Sequence, residues 1–138
     1  MSSLHSPSAV NQIIAVSNAG VAEVLRTPLK WSAASANAIN STTLWDPAAG
    51  KKFRLMGFSW AIPSTATSAA GSIVSLLDQA ATVCYVAAIG ATTGAQSGCV
   101  NFAGNGYLSA TVDNILYFQL SAAFTAGAIY MTAWGTEE

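Results

Sequence analysis

From residue 39 onward, short runs of β-branched and aromatic residues alternate with Gly, Pro, Asn and Asp at close intervals. That pattern predicts a β-sandwich or barrel. Candidate strands cover residues 21–25, 39–45, 52–62, 72–78, 83–89, 99–102, 114–120 and 128–134, about the eight strands of an antiparallel jelly roll. The breaks between them have mechanisms. In Asp46-Pro47 the proline pre-sets φ and Gly50 supplies a positive φ, and Asn105-Gly106 and Asp113-Asn114 do similar work. Gly104-Asn105-Gly106 lacks a lysine and precedes a strand-like run, so it reads as a tight turn and not a phosphate cradle.

Two strands carry detail. In 52–62 strict alternation places Arg54, Met56, Phe58, Trp60 and Ile62 on one face and Phe53, Leu55, Gly57, Ser59 and Ala61 on the other. In 114–120, Leu116, Phe118 and Leu120 line one face while Ile115 and Tyr117 make the opposite face bulky too. A strand apolar on both sides must be covered twice, and the second cover is most simply a neighbouring copy or a host surface. Residues 1–20 read as an extended, flexible N-terminal arm ahead of a single domain, 21–138. The arm is either a loose terminus or a strap that orders on a neighbouring subunit. The Ala- and Thr-rich stretches 64–71, 91–97 and 122–127 read as long loops at the ends of the sandwich, suited to close contact because small side chains lose little rotamer entropy on docking.

Charge changes the picture. The chain of 138 residues has five Lys or Arg, six Asp or Glu and a net charge of -1, so 8% is charged while 52% is apolar. An average domain is about 25% charged, and Ala, Ser, Thr and Gly fill about half of this one. A surface so poor in charge suits a chain covered by other protein. The same scarcity argues against nucleic-acid binding, which draws its affinity from Lys and Arg. The basic group Lys51, Lys52 and Arg54 reads as a solvated turn. No basic start and apolar core of a signal peptide is visible, and the apolar stretch 80–95 is interrupted by glycines and too short to span a membrane.

Chemistry is sparse. The single histidine, His5, sits in the arm, which disfavours a Ser-His-Asp arrangement. Of the acids, Asp46, Asp78 and Asp113 adjoin predicted turns, and Glu137 and Glu138 read as a solubilising end. No spacing suggests a metal site, a cofactor or a small-molecule substrate. Cys84 and Cys99 read as two buried thiols, with a cross-strand disulfide as the alternative in an oxidising medium. The aromatic residues fit core or subunit interface better than a sugar platform, because the polar groups a sugar needs are scattered. Candidate interface residues are Ile13, Ile14, Trp31, Trp45, Trp60, Tyr117 and Trp134.

The runs Leu44 to Gly57, Gly104 to Ser109 and Asn114 to Ser121 give residues 39–138 a texture, turn placement and length that resemble small β-rich virion proteins of tailed bacteriophages, above all head decoration or cement proteins. The resemblance implies a non-enzymatic jelly-roll homotrimer, made in the host cytoplasm, that sits on the capsid exterior, binds the major capsid protein and staples its lattice. It supplies no catalytic residues. A host-recognition module of a tail fibre or spike, binding carbohydrate, is the alternative.

Overall fold

A computed structural model describes residues 14–16, 22–24, 28–63, 66–68, 72–79, 81–89 and 95–138. The fold is all-β. In chain order the strands are β1 (Ile14–Val16), β2 (Ala22–Val24), β3 (Lys30–Ala36), β4 (Thr42–Trp45), β5 (Phe53–Ile62), β6 (Thr67–Ser68), β7 (Ser72–Asp78), β8 (Thr82–Ile89), β9 (Gln96–Asn101), β10 (Tyr107–Leu108), β11 (Leu116–Leu120), β12 (Phe124–Ala126) and β13 (Ile129–Glu137).

Two antiparallel sheets form the body. In the first, β5 is flanked on one side by both β9 and β10 and on the other by β13, which in turn pairs with the edge strand β3. The second runs β4-β11-β7-β8. Apart from the β7–β8 hairpin, the chain passes from one sheet to the other between successive long strands. Two ribbons stand apart, β1 with β2 and β6 with β12.

The core lies between the sheets. Phe53, Leu55, Phe58, Ile62, Ile129, Met131 and Ala133 from the first face Leu44, Trp45, Val74, Leu76, Ile89, Leu116, Phe118 and Leu120 from the second. Facing layers of alternating apolar residues remove both inner faces from water, at about 25 cal/mol for each Å² buried. The double-sided character expected of 114–120 is present: Leu116, Phe118 and Leu120 are buried, while Ile115 and Tyr117 are half-exposed.

Three strand expectations are corrected. Strict alternation fails in β5 because Leu55 opposes Gly135 and Gly57 opposes Trp134, which makes Met56 an extra residue in the strand. This bulge shifts the phase. Phe53 and Leu55 turn inward before it and Phe58 and Ile62 after it, whereas Arg54 and Met56 leave the core face. Gly135 belongs to the same device, since a Cβ there would meet the Arg54 carbonyl oxygen at 1.8 Å. Second, β3 was not expected at all; Lys-Trp-Ser-Ala-Ala-Ser-Ala has no β-branched residue, and it is recruited as an edge by seven register pairs with β13. Third, parts of the expected loops are strand: Thr67–Ser68 pairs with Phe124–Ala126, and β9 begins at Gln96.

The arm expected over 1–20 lies outside the described residues except for Ile14–Val16. That segment pairs with Ala22–Val24, so hydrogen bonding crosses the boundary drawn at residue 20.

Candidate functional site

Because β3 and β5 start at the end of the sandwich where β4, β7 and β13 finish, the sequence positions of the charged residues converge in space. Lys30, Asp46, Lys51, Lys52, Arg54, Asp78, Asp113, Glu137 and Glu138 all lie at this pole. Among the residues whose side chains are described, the opposite pole and the outer faces away from the charged end hold no charged side chain, and Glu23 of β2 is placed only by its pairing with Ala15.

The charges are joined. Glu137 takes Lys30 Nζ at 2.6 Å, the Trp45 indole N–H at 3.0 Å and the Ala48 N–H at 3.3 Å. Burial of its side chain, 7% exposed, works against its charge, but these donors outweigh burial and hold its pKa below the ordinary glutamate range. Glu138 is likewise lowered, chiefly by its hydrogen bonds to the Arg54 guanidinium. Its backbone exchanges N–H···O bonds of 2.8 and 2.9 Å with Lys52. The two terminal glutamates are therefore clasps on the last strand, not the solubilising tail that composition suggested. Two of the basic group are engaged as well: Lys52 Nζ donates to the Ala110 carbonyl at 2.8 Å and Arg54 donates to Glu138 and to the Asn105 carbonyl.

Asp78 is the feature that sequence reading missed. It was placed beside a turn, yet it is 2% exposed and closes a polar cluster. Its Oδ2 accepts from the Tyr107 hydroxyl at 2.9 Å and the Ala110 N–H at 2.8 Å, and its Oδ1 accepts from the Asn114 amide at 2.7 Å. Asn114 is held in turn by the Thr111 hydroxyl at 2.6 Å. Burial and then the Asp78 partner push the Tyr107 hydroxyl up to about 12. Burial, followed by the Asp78 charge, pushes the Cys84 thiol to about 11. A carboxylate with all its donors supplied by the fold is a staple between β7 and the 107–114 loop. Its only sequence signal was a lone acid at the end of an apolar strand.

The expected pair of buried thiols is also corrected. Both cysteines are free; Cys84 is half-buried, its thiol directed to the Leu76 carbonyl at 3.3 Å, whereas Cys99 is exposed on β9. The turn assignments stand: Gly50, Gly104 and Gly106 all have φ between 64° and 75°, and Asp113 has φ 61°.

The candidate interface residues do not form one patch. Ile13 lies outside the described residues, and Ile14 is placed only by its pairing with Val24. Trp45 is corrected to a core residue: at 3% exposure it packs on Phe53 and offers no surface to a partner. Trp60 is half-buried, packed on Phe58 and lying over Gly98, where a Cβ would meet its ring at 2.0 Å. Tyr117 is half-exposed on the second sheet. Only Trp31 and Trp134 come together, their ring centroids 5.3 Å apart on the outer face of the first sheet, with Trp134 covering Gly57. Trp31 is 64% exposed. Tyr130, 53% exposed on the same strand as Trp134, is an addition to the candidate interface residues.

Two shallow depressions open on the outer faces. One, of about 310 Å³, is lined by Ile39, Ser75, Gln119, Leu120 and Ser121. The other, of about 360 Å³, is lined by Ala33, Ala34, Ser35, Tyr130, Met131 and Thr132. Among the described residues no three His, Cys, Asp or Glu gather as a metal site, and no helix is long and apolar enough to cross a membrane.

The fold and surface define a class: an all-β sandwich whose described charged side chains gather at one pole. No protein-family model matches the chain, and a search of curated proteins finds no match.

Proposed function

We propose that this chain is a non-enzymatic structural subunit, a decoration or cement protein that binds the outside of a capsid lattice and self-associates through its sandwich. The observation that supports it is that the nine charged residues with described side chains gather at one pole, with no described charge on the two outer faces or the far pole. A monomer keeps charge over its whole surface to remain dispersed. A subunit covered by neighbours needs charge only where it meets water. The strand orders β3-β13-β5-β9 and β4-β11-β7-β8, with sheet-to-sheet crossings between them, support reading the sandwich as a jelly roll, the architecture the phage resemblance implies. Such a subunit stabilises the shell by mass action, since it binds the assembled lattice and not free capsid protein.

The test is solution mass by light scattering, followed by mixing with undecorated phage heads and sedimentation. An oligomer, three copies on the resemblance, that pellets with heads is the expected result. A monomer left in the supernatant overturns the reading. A second reading, a tail-fibre module that binds surface polysaccharide, draws on the exposed Trp31 beside Trp134, a platform on which a sugar ring could stack. It requires glycan binding by the monomer that Trp31→Ala abolishes.

A further inference from the structure

The outer face of the first sheet is a grid whose rows follow from the register. Trp31, Trp134, Gly57 and Asn101 form the row nearest the charged pole; Ala33, Thr132, Ser59 and Cys99 form the next; Ser35, Tyr130, Ala61 and Ser97 form the third. None of the twelve is charged. Depletion of charge together with exposed aromatic residues is the compositional mark of an interface centre, whereas overall apolarity is not.

The relief of the face is specific. Trp31 stands up at one corner, propped by Trp134, and two rows along the same pair of strands lies the depression of about 360 Å³ walled by Tyr130 and floored by Ala33, Ser35 and Thr132. The face therefore carries a protrusion and a hollow of matching, uncharged chemistry. With strands about 4.8 Å apart and outward residues about 6.8 Å apart along each, the grid covers about 400 Å² in projection. That is short of the roughly 600 Å² per partner of standard specific interfaces and places the contact among the small ones.

We propose that this face is where a second copy of the chain docks, with Trp31 of one copy seated in the depression beside Tyr130 of the next. This rests on the self-associating reading above and names its contact surface. A buried aromatic anchor in a pocket is what concentrates binding energy at an interface. The contact closes as a pair if it is reciprocal and as a ring if it is sequential.

The test compares the mass of the full chain with that of three variants at equal micromolar concentration, by light scattering. Trp31→Ala removes the anchor, and Ser35→Arg fills the hollow with a charge; both positions are exposed, so far-ultraviolet circular dichroism should match the wild type. Val83→Arg, at a 54% exposed site on the other sheet, is the control. The expected result is a wild type of two or three copies that falls to one copy for Trp31→Ala and for Ser35→Arg and is unchanged for Val83→Arg. A wild-type monomer overturns the proposal, as does an oligomer that survives both first-sheet variants or dissociates only with Val83→Arg. A monomer that binds polysaccharide through Trp31 overturns it in favour of the sugar reading. An oligomer that depends on Trp31 but ignores phage heads sustains the docking face while removing the capsid assignment.

Discussion

Replacing Asp78 by Ala should be the most damaging polar substitution in the molecule. The side chain is 2% exposed and accepts from the Tyr107 hydroxyl, the Ala110 N–H and the Asn114 amide. Its removal leaves three part-buried donors without their acceptor. A buried unsatisfied group costs about 1–3 kcal/mol; allowing some relaxation of the Tyr107 hydroxyl, the total is about 3–5 kcal/mol. Against the 5–15 kcal/mol typical of a whole domain, that is a large share, equivalent to about 10–20 °C in melting temperature at this chain length. Asp78→Asn separates loss of the acceptor from loss of shape. Its amide oxygen can still serve Tyr107 and Ala110, but its NH2 then faces the NH2 of Asn114. Relief requires Asn114 to flip and the Thr111 hydroxyl, now donating to Asn114 at 2.6 Å, to rotate. That chain of adjustments should reduce the cost to about 1–2 kcal/mol. Urea unfolding with unchanged m-value measures both variants. A loss below about 1 kcal/mol for Asp78→Ala would refute the reasoning, because it would mean water reaches the cluster and satisfies the donors.

Glu137→Gln should lower stability by about 1–2 kcal/mol, since it weakens the Lys30 pair and leaves one oxygen to serve both the Trp45 indole and the Ala48 N–H, and thermal melts in low and high salt check it. Because Glu137 and Glu138 have folded pKa values below their unfolded ones, their contribution is present above the ordinary glutamate pKa of 4.5 and is lost as pH falls through the lowered folded values; melts across that acid range should show stability falling, and less steeply in a Glu137→Gln, Glu138→Gln double variant. Cys84 and Tyr107 have raised values, from 9.0 to about 11 and from 10.0 to about 12, so their contributions are complete below the unfolded values and disappear as pH climbs through the folded ones; spectrophotometric titration should find one tyrosine ionising near 12. A thiol reagent at pH 8 should label Cys99 at once and Cys84 only on unfolding, and two fast thiols would contradict the structure. Gly135→Ala should cost about 2–4 kcal/mol in chemical unfolding, since the added Cβ meets backbone at 1.8 Å and neither strand can yield without breaking the ladder.

Strands whose residues declare their own preference were legible. Ser72–Asp78 matches its expected span, and β5, β8 and β11 fall within the runs of aromatic and β-branched residues that announced them, apart from single-residue shifts at their ends. Lys30–Ala36 was hidden because its strand character is imposed by β13 and not by its own Ser and Ala residues. The facing of Phe53 and Leu55 was hidden by the bulge at Met56, a feature set by two glycines, Gly57 and Gly135, whose purpose shows only once the strands are paired. The same holds for the Asp78 cluster, whose donors lie 29 to 36 positions along the chain from Asp78. Trp45 read as a candidate interface aromatic beside a turn until Glu137, 92 residues away, appeared under its indole.

These long-range pairings explain why so little charge is enough. Lys30, Arg54, Asp78, Glu137 and Glu138 each hold a strand end or loop in place, so these five groups are occupied in closing one pole of the sandwich. They are therefore poor candidates for recognising anything else. Recognition is left to the neutral surface, where on the first sheet small side chains form the floor and Trp31 and Tyr130 stand above it, each at least 50% exposed. A surface of this kind distinguishes partners by shape and by exclusion of water, both nearly independent of salt, whereas a charged surface loses its attraction beyond a Debye length of about 8 Å in physiological salt. If self-association uses the first sheet, raising salt from 50 mM to 500 mM should leave the oligomer mass unchanged or favour the larger species. Dissociation at high salt would instead locate the contact at the charged pole and count against the neutral face as the assembly surface.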